Sequence, residues 1–219
     1  MNCFVDTNVP IAFIFRIDPF NHKSNSVLRR YDSIFWSEFV KCECEKAFNK
    51  KLNILTRFYR GLLKDLKIDG FNDFSFKDLI RYFRQKSYDG KDGKRIESSL
   101  SVFWDEYVSE SFPSYENFKT AVTSCIHDLQ FESHKRKRGW YGQVKLTEKR
   151  VKSYFDLKRM LDDFGVHPSD NRVILDAHDH NLRTDFDLDF VTFDKLCFDG
   201  ANLESFSFHE VKFITNFTF

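Results

Sequence analysis

The 219-residue sequence predicts an α/β fold, a parallel sheet of βα units carrying a large helical insertion. Three observations carry that expectation. Short apolar runs occur near both ends of the sequence, and two of them stop at an acidic residue. Stretches with helical spacing lie between those runs. The middle of the chain is helical in pattern throughout.

Asn2-Cys3-Phe4-Val5 is the first run and stops at Asp6. Ile34-Phe35-Trp36 lies before Ser37, Phe190-Val191-Thr192-Phe193 stops at Asp194, and Val211-Lys212-Phe213-Ile214 follows. Short apolar runs alternating with helical periodicity suggest βα units around a parallel sheet. Asn21–Tyr31 and Asn171–Leu182 supply crossover helices. In the middle, Leu52, Leu55, Phe58, Tyr59, Leu62, Leu63 and Leu66 recur three and four apart, the stripe of an amphipathic helix. Ser75 with Asp78 reads as a capping box opening a helix over Lys77–Lys86. Ile96, Leu100, Phe103, Trp104 and Tyr107 form another stripe, and Tyr115, Phe118, Val122, Cys125 and Leu129 one more. Val151, Tyr154, Phe155 and Leu161 mark a last helix that stops near Gly165 and Pro168. Breaks fall at Asp69-Gly70, at Asp89-Gly90-Lys91-Asp92-Gly93 and around Pro113.

Composition is that of an ordinary globular protein, with 42% hydrophobic and 31% charged residues. The 27 Phe against 2 Met suit core filling and point to no function. A net charge of +1 gives the molecule no strong overall field, so attraction to nucleic acid has to come from local patches. No apolar run is long enough to span a bilayer, and no basic segment precedes an apolar one at the start, so the chain reads as cytoplasmic with no membrane partner. Five scattered Cys (Cys3, Cys42, Cys44, Cys125, Cys197) read as reduced thiols, and Cys42-x-Cys44 has no second pair for zinc.

Chemistry enters with the acids. In an open parallel sheet, ligands bind at the carboxyl edge of the strands. Asp6 and Asp194 each follow a strand directly, and Asp170, behind Pro168-Ser169, opens a helix above that edge. Glu43 lies six residues after Ser37, on the helix that starts there. Converging carboxylates repel one another unless a cation neutralises them, and hard divalent ions such as Mg²⁺ or Mn²⁺ take oxygen ligands. Such a centre suits phosphodiester hydrolysis. Each acid alone has a plainer role, as helix cap or turn residue; the joint placement makes the case.

Val5-Asp6-Thr7-Asn8 resembles the opening of PIN-domain nucleases, a strand whose last residue is the first metal-binding Asp. Ser37-Glu38-Phe39-Val40-Lys41-Cys42-Glu43 is similar to that family's Ser followed six positions later by an acid. Ser169-Asp170-Asn171-Arg172-Val173-Ile174-Leu175-Asp176-Ala177 resembles its third motif, and Val191-Thr192-Phe193-Asp194 its fourth. The resemblance implies a three-layer α/β/α fold with a discontinuous PIN-like nuclease domain over 1–50 and 165–219 and a helical insertion over 51–164. It implies Asp6, Glu43, Asp170 and Asp194 as catalytic metal ligands for Mg²⁺ or Mn²⁺, with Thr7, Asn8, Asp176 and Thr192 as candidate helpers. Glu45 competes with Glu43 for its place, and Asp199 stands near enough in sequence to assist Asp194. The activity implied is a metal-dependent nuclease, an endoribonuclease of toxin-like or RNA-processing kind, with single-stranded or structured RNA preferred over DNA. A protein inhibitor or a second copy of the chain are further partners it implies. The alternative is a non-catalytic PIN-like scaffold that binds RNA or protein. A haloacid-dehalogenase-like phosphatase is disfavoured, because its general acid falls at Asn8.

His134-Lys135-Arg136-Lys137-Arg138-Gly139-Trp140-Tyr141-Gly142 reads as a loop between helices, offering phosphate contacts from Lys135, Arg136, Lys137 and Arg138 and stacking from Trp140 and Tyr141. Arg57, Arg60, Lys64 and Lys67 form a second basic stripe. His178 and His180 read as surface histidines at a helix end.

Overall fold

The computed structural model describes residues 1–66, 74–88 and 90–213. Lys67, Asp69-Gly70, Asp89 and Ile214, all used above, lie outside the described residues. Along the chain run β1 (Asn2–Val5), α1 (Asn8–Ile14), α2 (Asn21–Arg30), β2 (Ser33–Trp36) and the long α3 (Glu38–Asp65). Then come α4 (Phe76–Gln85), α5 (Gly90–Phe103), a π-turn at Trp104–Val108 and α6 (Tyr115–His127). A second π-turn at Asp128–Glu132 leads into α7 (Ser133–Gln143) and β3 (Val144–Leu146). The chain finishes with α8 (Phe155–Phe164), α9 (Pro168–Leu182), β4 (Leu188–Thr192), α10 (Lys195–Ala201) and β5 (Val211–Phe213). No helix among the described residues is long and apolar enough to cross a membrane.

The chain divides into two compact units. One comprises Met1–Phe13, His22–Ala47 and Lys137–Phe219; the other comprises Ile14–Asn21 and Phe48–Arg136. The first unit holds the whole sheet, in strand order β3-β2-β1-β4-β5 with every pairing parallel. Cys3, Phe4, Val5, Phe190 and Val191 are fully buried, which is why Cys3–Val5 and Phe190–Val191 read as apolar stretches. Asn2 pairs with Leu188 and Val5 with Val191, so Asp6 and Thr192 emerge side by side at one edge. Strand order reverses between β1 and β4: the chain builds outward from β1 through β2 to β3, then returns to lay β4 on the other side of β1. This reversal opens a crevice at the carboxyl edge, the place where open α/β sheets take their ligands.

Local sequence explains how the helices beside that crevice begin and end. α9 starts with Pro168 in its first turn, and the His167 ring accepts from the Ser169 N–H at 3.3 Å. α8 ends at Gly165 in the left-handed region (φ 88°), where a Cβ would be strained. Gly200 in α10 allows a close approach, since a Cβ there would meet Val166 Cγ2 at 2.5 Å.

The second unit is helical, as its pattern predicts. Leu55, Phe58, Tyr59, Leu62, Leu100, Phe103, Phe118 and Val122 make its core, each at most 1% exposed. These are the residues of the stripes read from spacing. Asp78 closes the start of α4, accepting from the Ser75 N–H at 2.9 Å. Asp18 and Lys51 form a buried ion pair, and Tyr107 donates to Asp128 at 2.7 Å.

Four expectations change. The helix starting near Ser37 and the stripe from Leu52 belong to one helix, α3. His134–Gly142 is helical, within α7, because neither glycine interrupts the turn and Trp140 packs inward. Sequence placed the return to the sheet at 165, yet the first unit resumes at Lys137 and β3 already pairs with β2. Val151 and Phe155 are 76% and 78% exposed, so they are not on a buried stripe.

Candidate active site

The floor of the crevice is Asp6, 3% exposed, one residue beyond β1. Its Oδ1 accepts from the Thr7 N–H at 2.5 Å; its Oδ2 accepts from Asn8 Nδ2 at 2.7 Å and from Thr192 Oγ1 at 2.9 Å. Thr192 also receives at Oγ1 the N–H of Asp194 (3.0 Å), and Asn8 Oδ1 receives that of Phe193 (3.1 Å). The turns after β1 and β4 are thereby sewn together by the side chains of Asn8 and Thr192. Thr7 reaches the other way, donating from Oγ1 to Glu43 Oε2 at 3.0 Å.

Asp170 and Asp194 complete the arrangement. Asp170 stands in the first turn of α9, and Asp194 caps α10, its Oδ1 accepting from the Cys197 N–H at 3.0 Å. Burial pushes the Asp6 carboxyl up to about 7, and the charges of Asp170 and then Asp194 push the same way. Burial likewise raises Asp170, with Asp194 and Glu43 adding to it. Asp170 and Asp194 thus act on Asp6, Asp194 and Glu43 act on Asp170, and Thr7 links Glu43 to the turn that carries Asp6. Glu43, Asp170 and Asp194 each keep one carboxylate oxygen with no donor among the described residues. They do not, however, draw three ligand atoms within 4.8 Å of one another.

Several expected residues lie elsewhere. Glu45 accepts from Tyr141 at 2.6 Å and pairs with Lys137, so Glu43 is the acid of α3 that meets Thr7. Asp176, two turns further along α9, faces Ser37, Arg150 and Arg172 rather than the four acids. Asp199 is taken by Lys195. His178 packs against the rings of Tyr154 and Phe206, and His180 against Phe35 and Phe186; neither is a surface group, and burial lowers both pKa values.

The basic stretch does not act as one patch, because successive helical positions point about 100° apart. Trp140 is fully buried against Phe13 and Trp36, so it has no face left for a base. Tyr141 and Lys137 are held by Glu45, while Arg136 lines a small pocket of the second unit with Arg16, Tyr107 and Asp128. Lys135 and Arg138 remain exposed.

Comparison with family models, curated proteins and solved structures finds no match.

Sequence reading missed Asp189, buried near the start of β4 and so at the opposite edge of the sheet from Asp6. It accepts from Tyr31 Oη at 2.8 Å and pairs with His209 at 3.0 Å. Asp189 is the third of the alternating acids Asp185, Asp187 and Asp189, and the one that directly precedes the apolar Phe190-Val191, which was the available signal. Asp189, His209 and Glu210 place ligand atoms within 4.8 Å, but their charges are already matched: His209 serves Asp189, and Lys212 serves Glu210. Four of the five cysteines are buried free thiols, and burial raises Cys3, Cys44, Cys125 and Cys197.

Proposed function

We propose that this chain is a Mg²⁺- or Mn²⁺-dependent nuclease that hydrolyses phosphodiester bonds in RNA as an endoribonuclease of the PIN type. The single observation that carries the reading is the buried Asp6 at the switch between β1 and β4, surrounded by Glu43, Asp170 and Asp194. The donor set fits the ion. Every candidate ligand is a carboxylate oxygen, the preference of hard cations, and three of the four have an oxygen to spare. A bound cation would supply an activated water and stabilise the leaving oxygen.

The chain's own residues supply the geometry. Asn8 and Thr192 hold Asp6 in one orientation, Thr7 ties Glu43 to the same turn, and the first turn of α9 presents Asp170. Fixed ligands lower the reorganisation a reaction needs. Asp6 at the floor and the exposed Asp194 at the rim leave the space open to solvent on one side, as a polymeric substrate requires.

Labelled single-stranded RNA incubated with the protein and Mn²⁺ should be cut, and chelation should stop it. Asp170→Asn should reduce cleavage by roughly a hundredfold or more, the scale of losing one preorganised charge-stabilising group, while the fold is retained. Undiminished cutting in EDTA would falsify the metal reading. Cation binding without any cutting would instead favour the non-catalytic scaffold.

A further inference from the structure

The second unit carries a surface that the acid site does not use. On α3, Asn53, Arg57, Arg60 and Lys64 are exposed at spacings of four, three and four, on the side away from the buried Leu55, Phe58, Tyr59 and Leu62. At 1.5 Å per residue the stripe is roughly 16 Å long. Beside it opens a pocket of about 430 Å³, walled by Asn53, Thr56, Arg57, Arg60, Gln130 and His134.

Three features distinguish this pocket from an ordinary solvated helix face. First, no acid lines it, and neither Arg57 nor Arg60 has a carboxylate partner among the described residues. Elsewhere in the same unit Arg16, Arg81 and Arg95 each take an aspartate. Second, its polar groups have no assigned work. The side chains of Asn53 and Gln130 make no hydrogen bond among the described residues, and Thr56 Oγ1 is buried without a partner, a costly condition for a hydroxyl. Third, Gln130 sits in the π-turn Asp128–Glu132. Single π-turns within helical runs are frequent at functional sites. The unit also has a charge bias: Ile14–Asn21 and Phe48–Arg136 together contain 17 Lys and Arg against 14 Asp and Glu.

We infer that this α3 face is a binding track for the backbone of a single-stranded nucleic acid, with the pocket at Arg57, Arg60 and His134 taking a phosphate. A guanidinium offers paired N–H donors that match phosphate oxygens, and two of them three residues apart suit consecutive contacts along a strand. The carboxamides of Asn53 and Gln130 add neutral donors, and the His134 ring, set edge-on to Phe48 at 4.9 Å, adds a flat surface. A linear stripe suits a polymer better than a compact anion. The track goes beyond cleavage, since it contains none of Asp6, Glu43, Asp170 or Asp194.

The test uses the full chain and a fluorescent single-stranded RNA in EDTA, so that binding is read with no turnover. Arg57→Ala with Arg60→Ala should weaken binding about tenfold or more. The slope of log affinity against log salt should fall by about 1.4, at roughly 0.7 for each phosphate of a single strand that is no longer neutralised. Lys91→Ala with Lys94→Ala removes the same charge from α5 of the same unit and should change both quantities much less. Thr56→Val should give a smaller decrease in affinity without altering the slope. Equal affinity and slope in the two double variants would overturn the inference. So would displacement of the RNA by polyglutamate as readily as by unlabelled RNA, which would assign the stripe to an acidic protein. A binding defect in a protein that never cuts RNA would leave the track standing and remove only the nuclease reading; cutting with no binding difference would do the reverse.

Discussion

Burying Asp6 beneath the turns after β1 and β4, with Asp170 and Asp194 close by, makes its carboxyl hold a proton up to about pH 7 when no cation is present. A group whose folded pKa lies above its unfolded one contributes stability that is complete below the unfolded pKa. For Asp6 that contribution is lost as pH rises from about 4 through about 7. The loss is on the order of 4 kcal/mol. Denaturation in EDTA at pH 5 and pH 8 should therefore show the metal-free protein weaker at the higher pH, and Asp6→Asn should flatten the difference. An equal pH dependence in the variant would deny Asp6 this role. The two glutamates of α3 should also separate. Glu43→Gln should lose metal-dependent cleavage with little change in stability. Glu45→Gln should keep cleavage and cost up to about 1 kcal/mol, because the partly exposed pair with Lys137 and the hydrogen bond from Tyr141 lose the charge that accepts from them.

At the scale of elements, α7 and α10 show where burial overrides local appearance. α7 presents a cationic run and two glycines, and nothing in its sequence marks one face as apolar. Its inward side is set by Trp140, which fits against Phe13 and Trp36. Trp140→Ala should destabilise by about 3–5 kcal/mol, a cavity cost, measured by urea unfolding, and should leave the salt dependence of RNA binding unchanged. In α10, Gly200→Ala puts a methyl 2.5 Å from Val166 Cγ2 and 3.1 Å from Leu161 Cδ2. The expected cost is about 1–3 kcal/mol of overpacking. β1, β2 and β4 were legible in the sequence through the short apolar stretches Cys3–Val5, Ile34–Trp36 and Phe190–Val191, and for β1 and β4 an acid soon after the strand marks the end. β3 was not, since it is a three-residue edge strand with two side chains exposed, and no turn signal sets it off. Asp6, Asp170 and Asp194 could be read for the same reason as the strands. The choice between Glu43 and Glu45 could not, because it depends on which side of α3 meets Thr7 and which meets Lys137.

For the whole molecule, the reversal of strand order and the acids above it belong to one unit, and the basic track belongs to the other. The reversal cannot be read from hydrophobic spacing, since it depends on how distant segments return to one another; the arginines of the track were legible as a basic stripe on one helix, but the pocket that Gln130 and His134 complete beside them was not. Cation binding should couple to folding through the first unit alone, because all four acids lie in Met1–Phe13, His22–Ala47 and Lys137–Phe219. A cation that binds only the folded state at a hundred times its Kd stabilises by about 2.7 kcal/mol. For a chain of this size that raises Tm by roughly 5–10 °C. Calorimetry in EDTA and in saturating Mn²⁺ should show the shift, and Asp6→Asn with Asp170→Asn should abolish it. The double variant should also melt higher than the wild type in EDTA, since removing two carboxylates relieves the repulsion that the cation otherwise relieves. Arg57→Ala with Arg60→Ala should retain the full Mn²⁺ shift, because neither residue contributes a carboxylate to the cation. A Mn²⁺ shift that survives in the acid double variant and disappears in the arginine variant would place the cation on the helical unit and remove the basis for the proposed active site.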